Sequence, residues 1–385
     1  MKRRALGILM GLVLVVLISM PAIAGGAPEV AAVTDDQPHW TVDGFDYDAL
    51  VAAAQAEGTV TIRWHSGRAP RAAEAFEAKY GIRTIATPRF DDSENIERLR
   101  REHEARNVQA DVLGMDDGAV IITEFIPRGM VTSWTPPDLA TLIPEAAQDP
   151  QVYLYQPVVF GFNSNIYDRS PISNLWELTE PQWAGRFAFA DPPIQPYMWH
   201  FFAGIIAHAD AMEAAYRAHY GRPIVLTEEN AGWEWVVRVF KNNPLAVRHD
   251  TDVAKAVGAP GQSTPPIGLY TLTRFRDAQE QELHLGFDPG IEPFAGFALP
   301  TYAVIPTNAP NPNAARLWVR FVLTEEGHFP WSGVIGGFSP NQTVQPAENP
   351  LGTWDQWQDV LMLFDPVQSA EVRRDLIDLW LTHAQ

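Results

Sequence analysis

The chain has 385 residues, no cysteine and a formal net charge of −19. That length is enough for two domains, and a hydrophobic fraction of 46% supplies a large core. The lack of cysteine excludes disulfides, a lipid-modified cysteine and thiol catalysis, and the acidic balance argues against nucleic acid and anionic lipid surfaces. An anionic small ligand stays open, because a few oriented N–H groups and one arginine in a cleft set the local field whatever the total charge.

Lys2, Arg3 and Arg4 precede an apolar run, Leu6–Met20, and then Ala22-Ile23-Ala24, the three parts of a secretory signal. The run of about 15 residues is short for a membrane span of roughly 20. Cleavage after Ala24 and a periplasmic location are therefore expected. Removing the three cations takes the net charge from −19 to −22. Residues 31–37 read as a polar leader.

Asp46 caps a predicted helix over Tyr47–Glu57, which Gly58 ends. Thr59–Trp64 reads as a strand and His65-Ser66-Gly67-Arg68 as the loop after it. Pro70 opens a helix that stops at Gly81. Ile82–Thr87 is a second strand, Asp92 or Ser93 caps the next helix, and Ala110–Leu113 is a third strand. Gly114-Met115-Asp116-Asp117-Gly118 then leads into a helix through Phe125. This alternation implies a parallel sheet flanked by helices.

Val158–Asn163 reads as a buried strand on which the chain leaves one lobe for another. A short helix at Asn174–Leu178, a turn at Pro181–Gly185 and a strand at Arg186–Ala190 follow. The alternation continues with a helix over Pro196–Ala209, a helix capped by Thr227, strands at Leu245–His249, Ile267–Tyr270 and Leu283–Phe287, and helices at Thr251–Val257 and Thr273–Gln281. Phe297–Ile305 is the return crossing, Asn311 and Pro312 start another helix, and Trp354–Phe364 and Ala370–His383 are terminal helices.

The segment Pro157–Pro193, PVVFGFNSNIYDRSPISNLWELTEPQWAGRFAFADPP, resembles the lobe-crossing region of type II extracellular solute-binding proteins, the receptors of ABC importers, in their iron, polyamine and 2-aminoethylphosphonate branch. The shared parts are a Gly-aromatic-Asn strand, a Trp-Leu helix, a Pro-x-Trp-x-Gly turn and a strand ending in Asp-Pro. ALPTYAVIPTNAPNPNAARLWVRFVLTEEG at Ala298–Gly327 is similar to the family's return strand, its Ala-rich helix and the stop after it. The resemblance covers about Asp46–Asn341. It implies an α/β, two-lobed type II periplasmic-binding-protein fold with two hinge crossings. The expected division is 1–24 as signal, 25–157 plus 304–345 as a discontinuous first lobe, 158–303 as the second lobe, and 346–385 as C-terminal helices assigned to neither. It also implies a monomer that delivers a small solute to a permease and ATPase in the inner membrane, with no cofactor and no catalysis.

In open parallel sheets, ligands bind beyond the carboxyl ends of the strands. Four loops qualify. His65, Ser66, Gly67 and Arg68 offer close backbone approach and a helix start for an anion. Of Asp116 and Asp117, one is the expected helix cap and the other reaches ligand. Asp191 and Tyr197 flank a proline-stiffened loop, with Tyr197 offering a flat face with a polar handle. The fourth loop is Tyr270–Arg276. The ferric-binding branch carries adjacent tyrosines here; aligned through Gly268-Leu269, they fall on Thr273 and Arg274. Hydroxyl plus guanidinium does not suit bare Fe³⁺, and Arg274 or Arg276 instead suits a carboxylate, phosphate or phosphonate. Tyr302, on the return crossing, is the last nominee, and Trp331–Asn341 is a candidate rim.

An organic anion ranks ahead of a polyamine, a sugar and ferric iron with a synergistic anion. An exported hydrolase assembled from Asp116, Asp117, Asp191 or Glu228 is the alternative of another class. The chain has no Gly-x-Ser-x-Gly elbow, His-Glu-x-x-His or P-loop to support it. A sensor subunit of the same fold is a third reading.

Overall fold

The computed structural model describes residues 44–87, 91–278, 281–333, 336–344 and 352–383. The expected signal, its cleavage site and the polar leader lie outside these residues.

The first half of the chain alternates helix and strand as expected. α1 (Tyr47–Glu57) starts where the Asp46 side chain accepts the Ala49 N–H and ends at Gly58 in the left-handed region. β1 (Thr59–Trp64), α2 (Ala69–Tyr80), β2 (Arg83–Ala86), α3 (Asp92–Glu104) and β3 (Val112–Met115) follow. Beyond β3 comes α4 (Gly118–Val120), which runs on into a wider turn at Ile121–Phe125. β4 (Val131–Thr132) precedes the long β5 (Val152–Asn163).

The middle of the chain contains β6 (Phe187–Ala190), α5 (Tyr197–Ala207), α6 (Ala209–Tyr220), α7 (Ala231–Lys241), β7 (Leu245–Val247), α8 (Asp250–Gly258), β8 (Ile267–Thr271), α9 (Arg274–Ala278) and β9 (Leu285–Phe287). Two details differ from the sequence reading. α6 is a separate helix where no element was predicted. α7 is capped by Asn230, whose side chain accepts the Trp233 N–H, while Thr227 instead donates its N–H and hydroxyl to the Glu234 carboxylate.

The chain returns through β10 (Gly296–Pro306) and closes with α10 (Pro312–Val322), α11 (Glu325–Ser332), α12 (Trp354–Gln358), β11 (Leu361–Met362) and α13 (Pro366–His383). The expected helix over 354–364 is thus a one-turn helix followed by a short strand that pairs with β10.

The strands join in the order β2-β1-β3-β10-β5-β8-β6-β7. β1 runs parallel to β2 and β3, and β6 runs parallel to β8 and β7. Between these parallel groups stand β5 and β10, antiparallel to each other from Gly296↔Val159 to Tyr302↔Val152, with an irregularity at Thr301/Tyr302. The two crossings are therefore one ribbon.

Along that ribbon the buried side chains change core. Leu154 and Tyr302 pack with Trp64, Phe76 and Trp318. Val158 and Leu299 pack with Phe160, Phe201 and Trp235. The core changes within Leu154–Val158 on β5, a strand that begins at Val152 where the sequence pattern expects Val158. Gln156 sits opposite Leu299 at that point. No helix among the described residues is long and apolar enough to cross a membrane.

Candidate functional site

A cavity of about 220 Å³ lies over this change of core. It is lined from one side by His65, Ser66, Gly67, Arg68, Asp91, Asp116 and Trp331, and from the other by Gln195, Tyr197, Asp250, Thr271, Thr273, Arg274, Arg276 and Asp277. Gln156 and Leu299, facing each other on the β5–β10 ribbon, complete it.

The β1–α2 loop is held from below. His65 Nδ1 lies 3.2 Å from the Gly114 carbonyl, which requires a proton on Nδ1. Its Nε2 is 3.4 Å from Asp116 Oδ1. Ser66 Oγ accepts the Trp331 indole N–H at 2.9 Å. Trp331 stacks edge-on against Tyr153, whose hydroxyl accepts the Trp64 N–H at 2.7 Å, so this loop rests on a buried aromatic cluster.

Asp116 is positioned by its neighbours more than by its own turn. Thr301 donates its hydroxyl to Asp116 Oδ1 at 2.8 Å. Asp92, buried at the start of α3, accepts the backbone N–H groups of Asp116 and Asp117 on Oδ2, at 2.6 and 2.9 Å. Burial, reinforced by the charge of Asp116, pushes the Asp92 carboxyl up to about 8.

The opposite wall is cationic. Arg274 Nη1 donates to Asp277 Oδ2 at 2.7 Å, and its Nη2 donates to Thr273 Oγ1 at 3.1 Å. Its Nε lies 3.3 Å from Asp250 Oδ2 without hydrogen-bond alignment. Asp277 Oδ1 is approached at 3.5 Å by both Arg68 Nη2 and Arg276 Nε. Three guanidiniums thus converge on one carboxylate. Nη1 of Arg276 is buried and has no hydrogen-bond partner. Burial and the neighbouring Arg68 pull the Arg276 pKa down to about 10. Thr271 Oγ1 donates to Asp250 Oδ2 at 2.7 Å and lies 2.6 Å from Thr273 Oγ1.

Contacts between the two sides of the cavity close this cleft. Besides Arg68–Asp277, Asp91 Oδ2 lies 3.3 Å from Arg248 Nη2, and its Oδ1 accepts from Gln195 Nε2 at 3.4 Å. Ser93 Oγ donates to the Ile194 carbonyl at 3.3 Å.

Of the residues nominated from sequence, His65, Ser66, Gly67, Arg68, Asp116, Tyr197, Thr273, Arg274 and Arg276 reach the lining; Asp117, Asp191 and Tyr302 do not. Asp117 is fully buried under α13, where Arg373 clasps both its oxygens at 2.6 and 2.9 Å while it caps α4. Burial alone would raise its carboxyl, but Arg373 and His200 hold it below the usual carboxylate range. Asp191 builds the turn beneath the cavity: its carbonyl accepts the N–H groups of Ile194 and Gln195, and its N–H donates to Val247. Tyr302 is buried against α4, so close to Gly118 that a Cβ there would stand 2.7 Å from its hydroxyl. Asp91, Gln156, Gln195, Asp250, Thr271, Asp277 and Leu299 line the cavity without being singled out from sequence, and Trp331, a candidate rim residue, lines it too. Among the described residues, no group of three or more His, Asp or Glu is arranged to hold a metal ion.

Residues 71–359 match the family described as bacterial extracellular solute-binding protein. Among curated proteins none matches the sequence. Solved structures do. Iron-bound HitA from Pseudomonas aeruginosa superposes with a TM-score of 0.66 at 18% identity, over 85% of this chain and 99% of that one. The periplasmic binding protein AfuA from Actinobacillus pleuropneumoniae, with exogenous fructose-6-phosphate bound, gives 0.64 at 17% identity over 85% and 98%. AgtB from A. tumefacien R10, in complex with agropinic acid, gives 0.61 at 13% identity over 85% and 98%. These likenesses establish the two-lobed fold.

Proposed function

Because the chain belongs to the bacterial extracellular solute-binding protein family, a family of binding proteins rather than enzymes, we propose that it is the periplasmic receptor of an ABC importer for a small organic anion. The anion enters between the lobes, the cleft closes on it about the β5–β10 ribbon, and the closed form delivers it to a membrane permease coupled to an ATPase. The basic and apolar N-terminal segment supports export.

The observation that carries the anionic reading is the buried, unpartnered Nη1 of Arg276, set among three guanidiniums that share Asp277. A buried charged donor without an acceptor costs free energy until a ligand oxygen meets it. A carboxylate, phosphonate or phosphate fits that geometry. Among the structural neighbours, AfuA is seen with a sugar phosphate and AgtB with agropinic acid.

The four carboxylates of the lining, Asp91, Asp116, Asp250 and Asp277, favour a cationic ligand such as a polyamine instead. Each of them already has a donor: Arg248 for Asp91, Thr301 for Asp116, Thr271 for Asp250 and Arg274 for Asp277. The anionic reading is therefore preferred.

A thermal-shift screen of the exported chain with phosphonates, sugar phosphates, dicarboxylates, spermidine, glucose and ferric citrate separates these readings. A ligand at about a hundred times its dissociation constant adds about 2.7 kcal/mol of stability, a clear upward shift. Stabilisation by an anion is expected; stabilisation by spermidine alone, or by ferric citrate but not by citrate, defeats the proposal.

A further inference from the structure

α13 lies C-terminal to the stretch 71–359 that matches the family, and it touches both halves of the molecule. Its Leu376 and Trp380 are buried in the core of α5 and α7. Trp380 packs against Phe189 and Phe240 with ring centres 5.7 and 4.9 Å apart. Ser369 Oγ lies 2.7 Å from His200 Nδ1 on α5, and Phe364, just before the helix, stacks on the same imidazole at 4.7 Å. By these contacts the helix is fastened to the second lobe.

Arg373, on the same helix, reaches the other way. Its Nη1 and Nη2 donate to the two oxygens of Asp117 at 2.6 and 2.9 Å. Asp117 heads α4, beside Asp116 of the cavity lining and within the half of the chain that packs around Trp64. His200 Nε2 stands 3.4 Å from Asp117 Oδ1, so the α5 imidazole faces the same carboxylate.

We propose that α13 is a latch: the Arg373–Asp117 ion pair ties the second lobe to the first and holds the cleft closed before any solute arrives. The inference rests on the reading that this cleft opens and closes. Its geometry is independent of what the cavity binds. A bidentate Arg–carboxylate pair fixes both distance and angle, so rotation of one lobe against the other about β5–β10 must break it. Asp117 is fully buried in the pair. Its depressed pKa means that Arg373 and His200 more than offset its burial and favour the ionised form over the neutral acid. Opening forfeits that offset, and the closed population rises accordingly. A latched receptor captures solute through rarer openings and releases it slowly.

The test is small-angle X-ray scattering of the exported chain without ligand. The wild type is expected to scatter as the closed form, and Arg373→Ala to show a larger radius of gyration with unchanged secondary structure by circular dichroism. Arg374→Ala removes a neighbouring exposed cation of α13 and should scatter like the wild type. Should Arg373→Ala fail to fold, Arg373→Lys keeps the charge, loses the bidentate geometry and should also expand the particle. An unlatched wild type that is already open, an Arg373 variant as compact as the wild type, or equal opening by Arg374→Ala would each overturn the latch. Failure of every anion in the ligand screen would overturn the proposed cargo and leave this result standing.

Discussion

Trp331 donates its indole N–H to Ser66 Oγ across 2.9 Å, and the contact joins residues 265 positions apart in the chain. Trp331 belongs to α11 and Ser66 to the loop after β1, so a late helix sets the hydroxyl of an early loop at the cavity wall. With one lone pair taken by the indole and the other by the Arg68 N–H at 3.3 Å, Ser66 keeps its own hydrogen to offer to a bound oxygen. Trp331→Phe keeps an aromatic ring over Tyr153 and removes the donor. Losing one neutral hydrogen bond is worth about 0.5–1.5 kcal/mol, so affinity should fall about two- to tenfold, measured by isothermal titration with the anion found in the screen. An unchanged dissociation constant would mean that Ser66 is not a contact.

The contrast between Ser66 and Gln156 shows what the sequence could reveal. The rule that ligands gather beyond strand carboxyl ends brought out His65–Arg68, Asp116, Thr273 and Arg274, all of which reach the lining. Applied to β7, the same rule points to Asp250, the first residue of α8, which lines the cavity too. Gln156 and Leu299 gave no such signal, because they sit mid-strand and meet only when β5 pairs with β10. Nor could local pattern show that Asp117 faces inward to Arg373, 256 residues away, while its neighbour Asp116 turns to the cavity. Helix boundaries went astray for a local reason. Asn230 and Thr227 are both good caps, and Glu234 settled the choice by accepting from Thr227.

Asp92 should make stability fall as pH rises. Burial and the charge of Asp116 raise its folded pKa to about 8, from 3.8. A raised carboxyl binds its proton more tightly in the folded state, so the contribution is full below the unfolded value and is lost as pH climbs through about 8. Asp92→Asn mimics the protonated form: the amide oxygen can still accept the N–H groups of Asp116 and Asp117. The urea midpoint of the wild type should therefore decline between pH 5 and pH 9 more steeply than that of Asp92→Asn. Parallel profiles would show that Asp92 is ionised throughout.

His328 should act on the acid side. It is fully buried on α11, and its Nε2 donates to the Tyr153 carbonyl at 3.0 Å. Burial pulls its pKa down to about 4, from 6.5. The folded state holds the ring neutral where the unfolded chain would protonate it, so stability falls as pH drops from 6.5 towards 4. His328→Gln can keep a donor to the carbonyl and cannot titrate. Its unfolding midpoint should change less than that of the wild type between pH 7 and pH 5, even where its absolute stability is lower. Equal slopes would assign the acid sensitivity elsewhere.

Arg274 and Arg276 are expected to weaken binding by different routes. Arg276 has a buried Nη1 with no acceptor inside the protein, so its contribution is realised when ligand arrives. Arg276→Met fills similar space without the charge, and loss of a charged hydrogen bond worth about 1.5–3 kcal/mol lowers affinity about ten- to a hundredfold. Because the substitution also removes an uncompensated buried donor, the ligand-free protein should be as stable as the wild type or more so. Arg274 is already bound to Asp277 and faces Asp250 at 3.3 Å. Arg274→Ala therefore uncovers carboxylates at the wall that receives the anion. Affinity should drop by an order of magnitude or more, and the unliganded chain should melt at a lower temperature. Titration calorimetry and thermal melts on both variants separate the two roles: weaker binding in both, with lost stability only for Arg274→Ala. Wild-type affinity in either variant would remove that residue from the site.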